Sequence, residues 1–174
     1  MKVPVVVVGA GACGLVAALA ARDAGAEVLV LEKDASPSGS TALSSGFVPA
    51  CGTRWQRAAG VEDSPERMAA DIQRKNGGQA DPRLVDALCR ASGPTLEWLS
   101  DAHGIPFVLV EGFLYPGHSA LRMHAVPEKT GAALMAALLR ACSEVDLLCS
   151  ANVTDIDAST VRFARPDGTT DSVE

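Results

Sequence analysis

"VVVVGAGACGLVAALAARDAGAEVLVLEK", residues Val5 to Lys33, decides the reading of this chain. A charged start, an apolar run and small residues near Ala18 to Ala21 imitate a secretion signal. Three features count against that reading. Gly9, Gly11 and Gly14 interrupt the run at regular spacing, the helix-like part continues into Arg22 and Asp23, and a second apolar run, Val28 to Leu31, follows at once. A strand, helix, strand unit accounts for all of it. Val3 to Val8 is a β-branched run of the kind that fills a parallel strand buried on both faces. Ala12 to Ala24 reads as a helix, Gly25 as the residue that tolerates positive φ at its end, and Ala26 to Leu31 as the next strand.

The first turn of that unit carries the pattern GxGxxG, and each glycine has its own task. Gly9 permits the tight turn, Gly11 removes a side chain that would block a pyrophosphate from the helix start, and Gly14 lets helix and strand pack closely. The backbone N–H groups of the helix start, with the dipole behind them, then face phosphate. Glu32 ends the second strand eighteen residues after Gly14, near the spacing of a carboxylate that binds a ribose hydroxyl pair. The turn alone does not separate FAD from NAD.

At 174 residues and 48% apolar composition, the chain suits one domain and no disordered class. A net charge of −6 argues against a nucleic-acid partner, since phosphate binding along a duplex needs a basic face. Every long apolar run is broken by glycine or charge, so no transmembrane helix and no membrane partner are expected. Cys13, Cys51, Cys89, Cys142 and Cys149 are odd in number and widely spaced, which fits neither a disulfide framework nor a zinc site and points to a reducing cytoplasm. His118 and His124 lack metal spacing, and no metal is expected.

Further along, "DASPSGSTALSSGF", Asp34 to Phe47, is loop chemistry: either a flexible connector or a wrap for a second part of the same cofactor. Ser64 and Pro65 start a helix reaching Lys75, and Asp81 with Pro82 starts another. Pro94 to Ala102 reads as a separate short helix stopped near Gly104 and Pro106. Phe107 to Val110 reads as a short strand and Glu111 to Val126 as irregular. Thr130 caps a helix from Gly131 to Cys142, and Val145 to Cys149 forms a third parallel strand. From Ala151 to Glu174, strand-like runs alternate with turn signals, as in an antiparallel meander. The fold class is therefore α/β: a Rossmann-like parallel sheet with a helical excursion and a C-terminal antiparallel β-meander. Its core is 1–33 and 130–150, its mostly helical excursion 47–126, and its meander 151–174.

The GAGACG turn, "VLEK", the "GSTALSSG" loop and "GHSALRMH" followed by "TGAALMAALL" together resemble the flavoprotein family of fumarate reductases, succinate dehydrogenases and 3-ketosteroid dehydrogenases. The resemblance implies a sheet of the FAD-binding type and FAD as cofactor. It implies that Gly9, Ala10, Gly11, Ala12, Cys13 and Gly14 hold the pyrophosphate region and that Glu32, with Lys33 beside it, holds the adenosine ribose. Ser40, Thr41, Ser44, Ser45 and Gly46 would line the cofactor towards the flavin, and Val153 would face the adenine through its backbone. Two departures stand out. Where some relatives carry the flavin covalently on a histidine, the matching position is Ser40, which implies noncovalent FAD; Ser38 replaces the usual glycine before Gly39.

The family's members are far longer, so the chain is expected to be the N-terminal part of an FAD-binding domain, with the capping domain and the residues that bind a small-molecule substrate outside it. A C-terminal half or self-association would then complete the exposed sheet. The implied chemistry of the whole enzyme is hydride transfer to or from a carbon next to a carbonyl or carboxylate. The alternative is a non-catalytic module holding FAD or NAD. His118, Arg122 and His124, near Tyr115, sit in an irregular segment where a substrate or flavin edge could be met, but the favoured reading is ordinary surface or hydrogen-bonded loop residues, and no catalytic residue is assigned.

Overall fold

The computed structural model describes residues 3–174. The elements begin with β1 (Val5–Val8), α1 (Ala12–Asp23), β2 (Val28–Leu31), α2 (Gly39–Leu43), β3 (Val48–Pro49), α3 (Arg54–Ala58) and α4 (Pro65–Lys75). They continue with α5 (Pro82–His103), β4 (Val108–Leu109), β5 (Met123–Ala125), α6 (Gly131–Ala141), β6 (Asp146–Leu148), β7 (Asn152–Ile156), β8 (Val161–Ala164) and β9 (Thr170–Val173). Two compact units result: residues up to Ser44 together with Gly131–Glu174, and the intervening Ser45–Thr130.

In the first unit, β1, β2 and β6 form a parallel sheet with β2 in the middle, Val7 opposite Val30 and Val30 opposite Leu147. Strand alternation sends Leu29 and Leu31 to one face, where they pack with Ala151, Phe163 and Val173 of the meander. Val28 and Val30 face the other way, and α1 packs against β2 through a side made of Leu15, Ala18 and Leu19. The strand buried throughout is β2, whereas β1 is only half-buried and its Val8 is 51% exposed. The Val run was expected to be buried on both faces; it lies at the edge of this sheet, so only one neighbour covers it, and the strand itself starts after Pro4. The second strand likewise begins at Val28 rather than Ala26. β7, β8 and β9 form the antiparallel meander, with turns closed by Asp157 N–H to Thr160 O and Arg165 N–H to Thr169 O.

The second unit differs from its sequence reading in three places. The helix starting at Pro82 does not stop for a second one at Pro94 but runs unbroken to His103. Pro94 forfeits a backbone bond at a cost of about 3 kcal/mol. Yet Val85, Cys89, Leu96 and Leu99 make one buried stripe across it, and burying each leucine returns roughly 1.5–3 kcal/mol. Gly93 belongs to that stripe because any Cβ there would overlap the Cys51 carbonyl oxygen. The segment Glu111 to Val126 is not wholly irregular: β5 lies between β3 and β4 in an antiparallel sheet whose strands are too short for period-two patterning to register. The stretch Arg54–Ala58 is helical, started by a capping box between Thr53 and Gln56. Ser64 and Asp81 do cap α4 and α5, accepting from the N–H groups of Arg67 and Arg83. Among the described residues no helix is long and apolar enough to cross a membrane.

Candidate functional site

The turn between β1 and α1 is built around backbone that side chains would obstruct. Gly9 has φ +94°, a left-handed conformation that favours glycine. A Cβ on Gly14 would overlap the Gly9 carbonyl oxygen and stand 3.3 Å from Val7 Cγ1, so a glycine is required where helix meets strand. Gly11 is the N-cap of α1 and has no side chain to accept from the first-turn N–H groups, and that turn carries no acidic residue. The N–H groups of the first turn beyond Ala12 and the positive end of the helix dipole together favour an anion.

Glu32 is 8% exposed and held at both oxygens: Oε2 accepts from Ala10 N–H at 2.8 Å and Oε1 from Asp34 N–H at 2.9 Å. Its backbone is fixed too, donating to Leu148 O at 2.9 Å and accepting from Ala151 N–H at 2.8 Å. A carboxylate has about four acceptor positions, so two remain for hydroxyl donors. Thr41 meets the turn from the other side, its Oγ1 accepting from Ala12 N–H at 3.1 Å. The structure thus brings Gly9, Ala10, Gly11, Ala12, Gly14, Glu32 and Thr41 together.

The other expected residues stand differently. Cys13 is exposed on the first turn of α1, and Lys33 is exposed at the end of β2. The "GSTALSSG" segment, expected as a loop, folds into the short helix α2, which places Thr41 facing the turn while Ser40 and Ser44 stay exposed. Ser44 Oγ donates to Thr41 O at 2.8 Å. Ser45 and Gly46 begin the second unit, Gly46 with φ +66°. The Val153 side chain packs on the apolar cluster around Phe163. Sequence reading passed over Gly131, whose backbone lies against α2; a glycine opening an otherwise Ala- and Leu-rich helix was the available signal.

Arg122 and His124 are hydrogen-bonded residues, as one form of the reading had it, but buried and not at the surface. Arg122 is 1% exposed and grips Asp63 through Nε at 3.0 Å and an Nη at 2.9 Å, and Asp71 through its other Nη at 2.8 Å. Asp63 also accepts from Gln56 Nε2 and Ser64 N–H. Burial would raise the Asp71 pKa, but bonds from the Ser119 N–H and hydroxyl, Arg74 and the Arg122 charge hold its carboxyl well below the usual range. His124 is fully buried; its Nδ1 must carry the proton, since its partner at 3.0 Å is the Arg122 carbonyl, and Nε2 then accepts from the Thr53 hydroxyl at 2.9 Å. Burial pushes its pKa down, against the opposing pull of the Arg122 and Val48 carbonyls and the Asp63 charge. His118 stands partly exposed, with a buried Nδ1, and its pKa is lowered by burial and by the Arg122 charge. Isolated charges in a sequence do not show which will be buried as partners.

The sequence pattern of the FAD binding domain family matches residues 4–171. The chain belongs to that family. This FAD-binding domain is 40% identical over 126 residues to a urocanate reductase from Eggerthella lenta, a stretch covering 72% of the domain and 20% of the relative. It is similar to the open conformation of a flavocytochrome c3 fumarate reductase, with a TM-score of 0.89 and 27% identity over 99% of the domain and 32% of that chain. It is similar also to the 3-ketosteroid-Δ4-(5α)-dehydrogenase of Rhodococcus jostii in complex with 4-androstene-3,17-dione, with a TM-score of 0.82 and 27% identity over 99% of the domain and 44% of that chain. The domain spans less than half the length of each of these proteins.

Proposed function

We propose that this domain is the cofactor-holding part of a longer flavin-dependent oxidoreductase and binds FAD noncovalently. The observation that carries the reading is the Glu32 carboxylate, anchored by two backbone N–H groups beside a helix start whose N-cap is glycine, with a glycine at each point of close approach. In this assignment Gly9, Ala10, Gly11, Ala12, Cys13 and Gly14 surround the pyrophosphate, which the helix N-terminus stabilises. Glu32 accepts from the adenosine ribose, with Lys33 beside it, and Val153 meets the adenine through its backbone. Thr41, Ser40 and Ser44, followed in sequence by Ser45 and Gly46, supply hydroxyls and backbone towards the flavin. Ser40 offers no ring nitrogen for covalent attachment, which supports reversible binding.

The flavin, when bound, supplies hydride transfer to or from a carbon next to a carbonyl or carboxylate, and the protein supplies orientation and electrostatics. Relatives named as a fumarate reductase and a ketosteroid dehydrogenase support this reaction class. A small-molecule substrate would be met by a capping domain in the remainder of the longer protein. Five free cysteines support a reducing, cytoplasmic setting.

The test is the visible spectrum of the purified protein, before and after FAD is added and the excess removed. Flavin bands that stay with the native protein and leave on denaturation are expected, and Glu32→Ala should weaken binding by about tenfold or more, since it removes a charged acceptor. A protein that never retains flavin, or that keeps it after denaturation, overturns the reading.

A further inference from the structure

We infer that Gly131 is a positioning residue for the cofactor site: bare backbone at the start of α6 lets α2 close onto it, and this sets where the Thr41 hydroxyl stands over the glycine turn. The inference rests on the FAD reading above and extends it to a residue outside every segment assigned to the cofactor.

Gly131 is buried at the first position of α6, and its N–H donates to Ser44 O at 2.8 Å. A Cβ there would overlap the Thr41 carbonyl oxygen and stand 2.6 Å from Ser44 O and 2.7 Å from Ser44 Oγ. All three atoms belong to the last turn of α2 and its cap, so no single rotamer change relieves the overlap. The same turn is tied internally, Ser44 Oγ and Ser44 N–H both reaching Thr41 O, at 2.8 and 3.3 Å. Whatever moves this turn therefore moves Thr41. Its Oγ1 lies 3.1 Å from Ala12 N and would be 3.6 Å from a Cβ on Gly11, so it stands at the mouth of the turn. Accepting from Ala12 leaves the hydroxyl proton to donate towards an anion at the helix start. Short helices such as α2 hold no fixed place by propensity alone; here the place is set by contact with α6.

A glycine that merely opened a helix would be improved by alanine, the better helix former. Gly131→Ala therefore separates the two roles. The positioning role predicts FAD affinity about tenfold weaker with an unchanged far-UV spectrum, a similar loss for Thr41→Val, and a double variant no weaker than the worse single one, because both act through one hydroxyl. Gly131→Ala that melts higher and binds FAD like the parent overturns the inference, as do losses that multiply in the double variant. A parent protein that binds no FAD overturns the cofactor reading first, before any substitution is made, and takes the inference with it. Should Gly131→Ala not fold, Ser44→Ala loosens the same turn more gently. Faster amide exchange at Ala12 in the cofactor-free protein and weaker FAD binding are then expected; unchanged exchange and affinity overturn the inference.

Discussion

The glycine turn of the first unit and the Asp63–Arg122–Asp71 cluster of the second handle polar groups in opposite ways. At the turn, Gly11 brings no capping side chain, Thr41 accepts only from Ala12 N–H, and the Glu32 carboxylate is anchored by backbone donors that leave acceptor positions over. In the cluster, three charged side chains at 1%, 0% and 3% exposure bind one another and their neighbours. Buried charge is tolerated only when paired and hydrogen-bonded, so the cluster is closed chemistry that serves its own unit. Donors left open at a helix start are the opposite arrangement, and they support the assignment of the turn to the cofactor proposed above. Counting charged residues would have favoured the cluster; asking which polar groups remain unspent favours the turn.

The contrast breaks most visibly at Arg122. Arg122→Ala leaves Asp63 buried without its cation and Asp71 with Arg74 alone, and a loss of about 3–5 kcal/mol in unfolding free energy is expected from chemical denaturation. If the variant unfolds at the parent's denaturant midpoint, the cluster is not the closed network described. Gly14→Ala probes the other region. The added Cβ must push the Gly9 carbonyl aside, costing about 1–3 kcal/mol by overpacking, and it should also lower FAD affinity because the turn itself is displaced. Parent-like flavin titration and melting in Gly14→Ala would show that the turn yields without consequence.

How much of this was legible in the sequence follows the same division. The caps at Ser64 and Asp81 act on backbone two or three positions away, and Glu32, though it reaches back 22 positions to Ala10, falls at the fixed spacing of a βαβ unit, so pattern reading reaches them all. The continuity of α5 through Pro94 depends on a buried stripe winning over a local breaker, and only packing decides that. The burial of Arg122 depends on Asp63 and Asp71, 59 and 51 positions away, and nothing local announces it. Within the site, Thr41 was named for its hydroxyl, but Gly131 was not, because its reason for being glycine lies in the carbonyls of α2.

The smallest effect sharpens the comparison by pH. His124 is kept neutral by burial, so its native pKa lies below the ordinary 6.5 while the unfolded chain takes up the proton at 6.5; His118 shifts in the same direction. As pH falls through 6.5 the unfolded state therefore binds more protons than the native one, and stability drops. Asp71 acts with the same sign further down: its native carboxyl stays ionised where the unfolded one, at 3.8, is protonated, so its contribution is complete above that pH and is lost as pH falls towards the native value. Thermal midpoints should be flat between pH 7 and 8, fall by a few degrees towards pH 5, and fall again below about 4. His124→Gln should flatten most of the first step and leave the second. A parent midpoint unchanged from pH 7.5 to 5 would mean that the native state takes up protons as readily as the unfolded chain, and that the second unit is less closed to protons than its ion cluster implies.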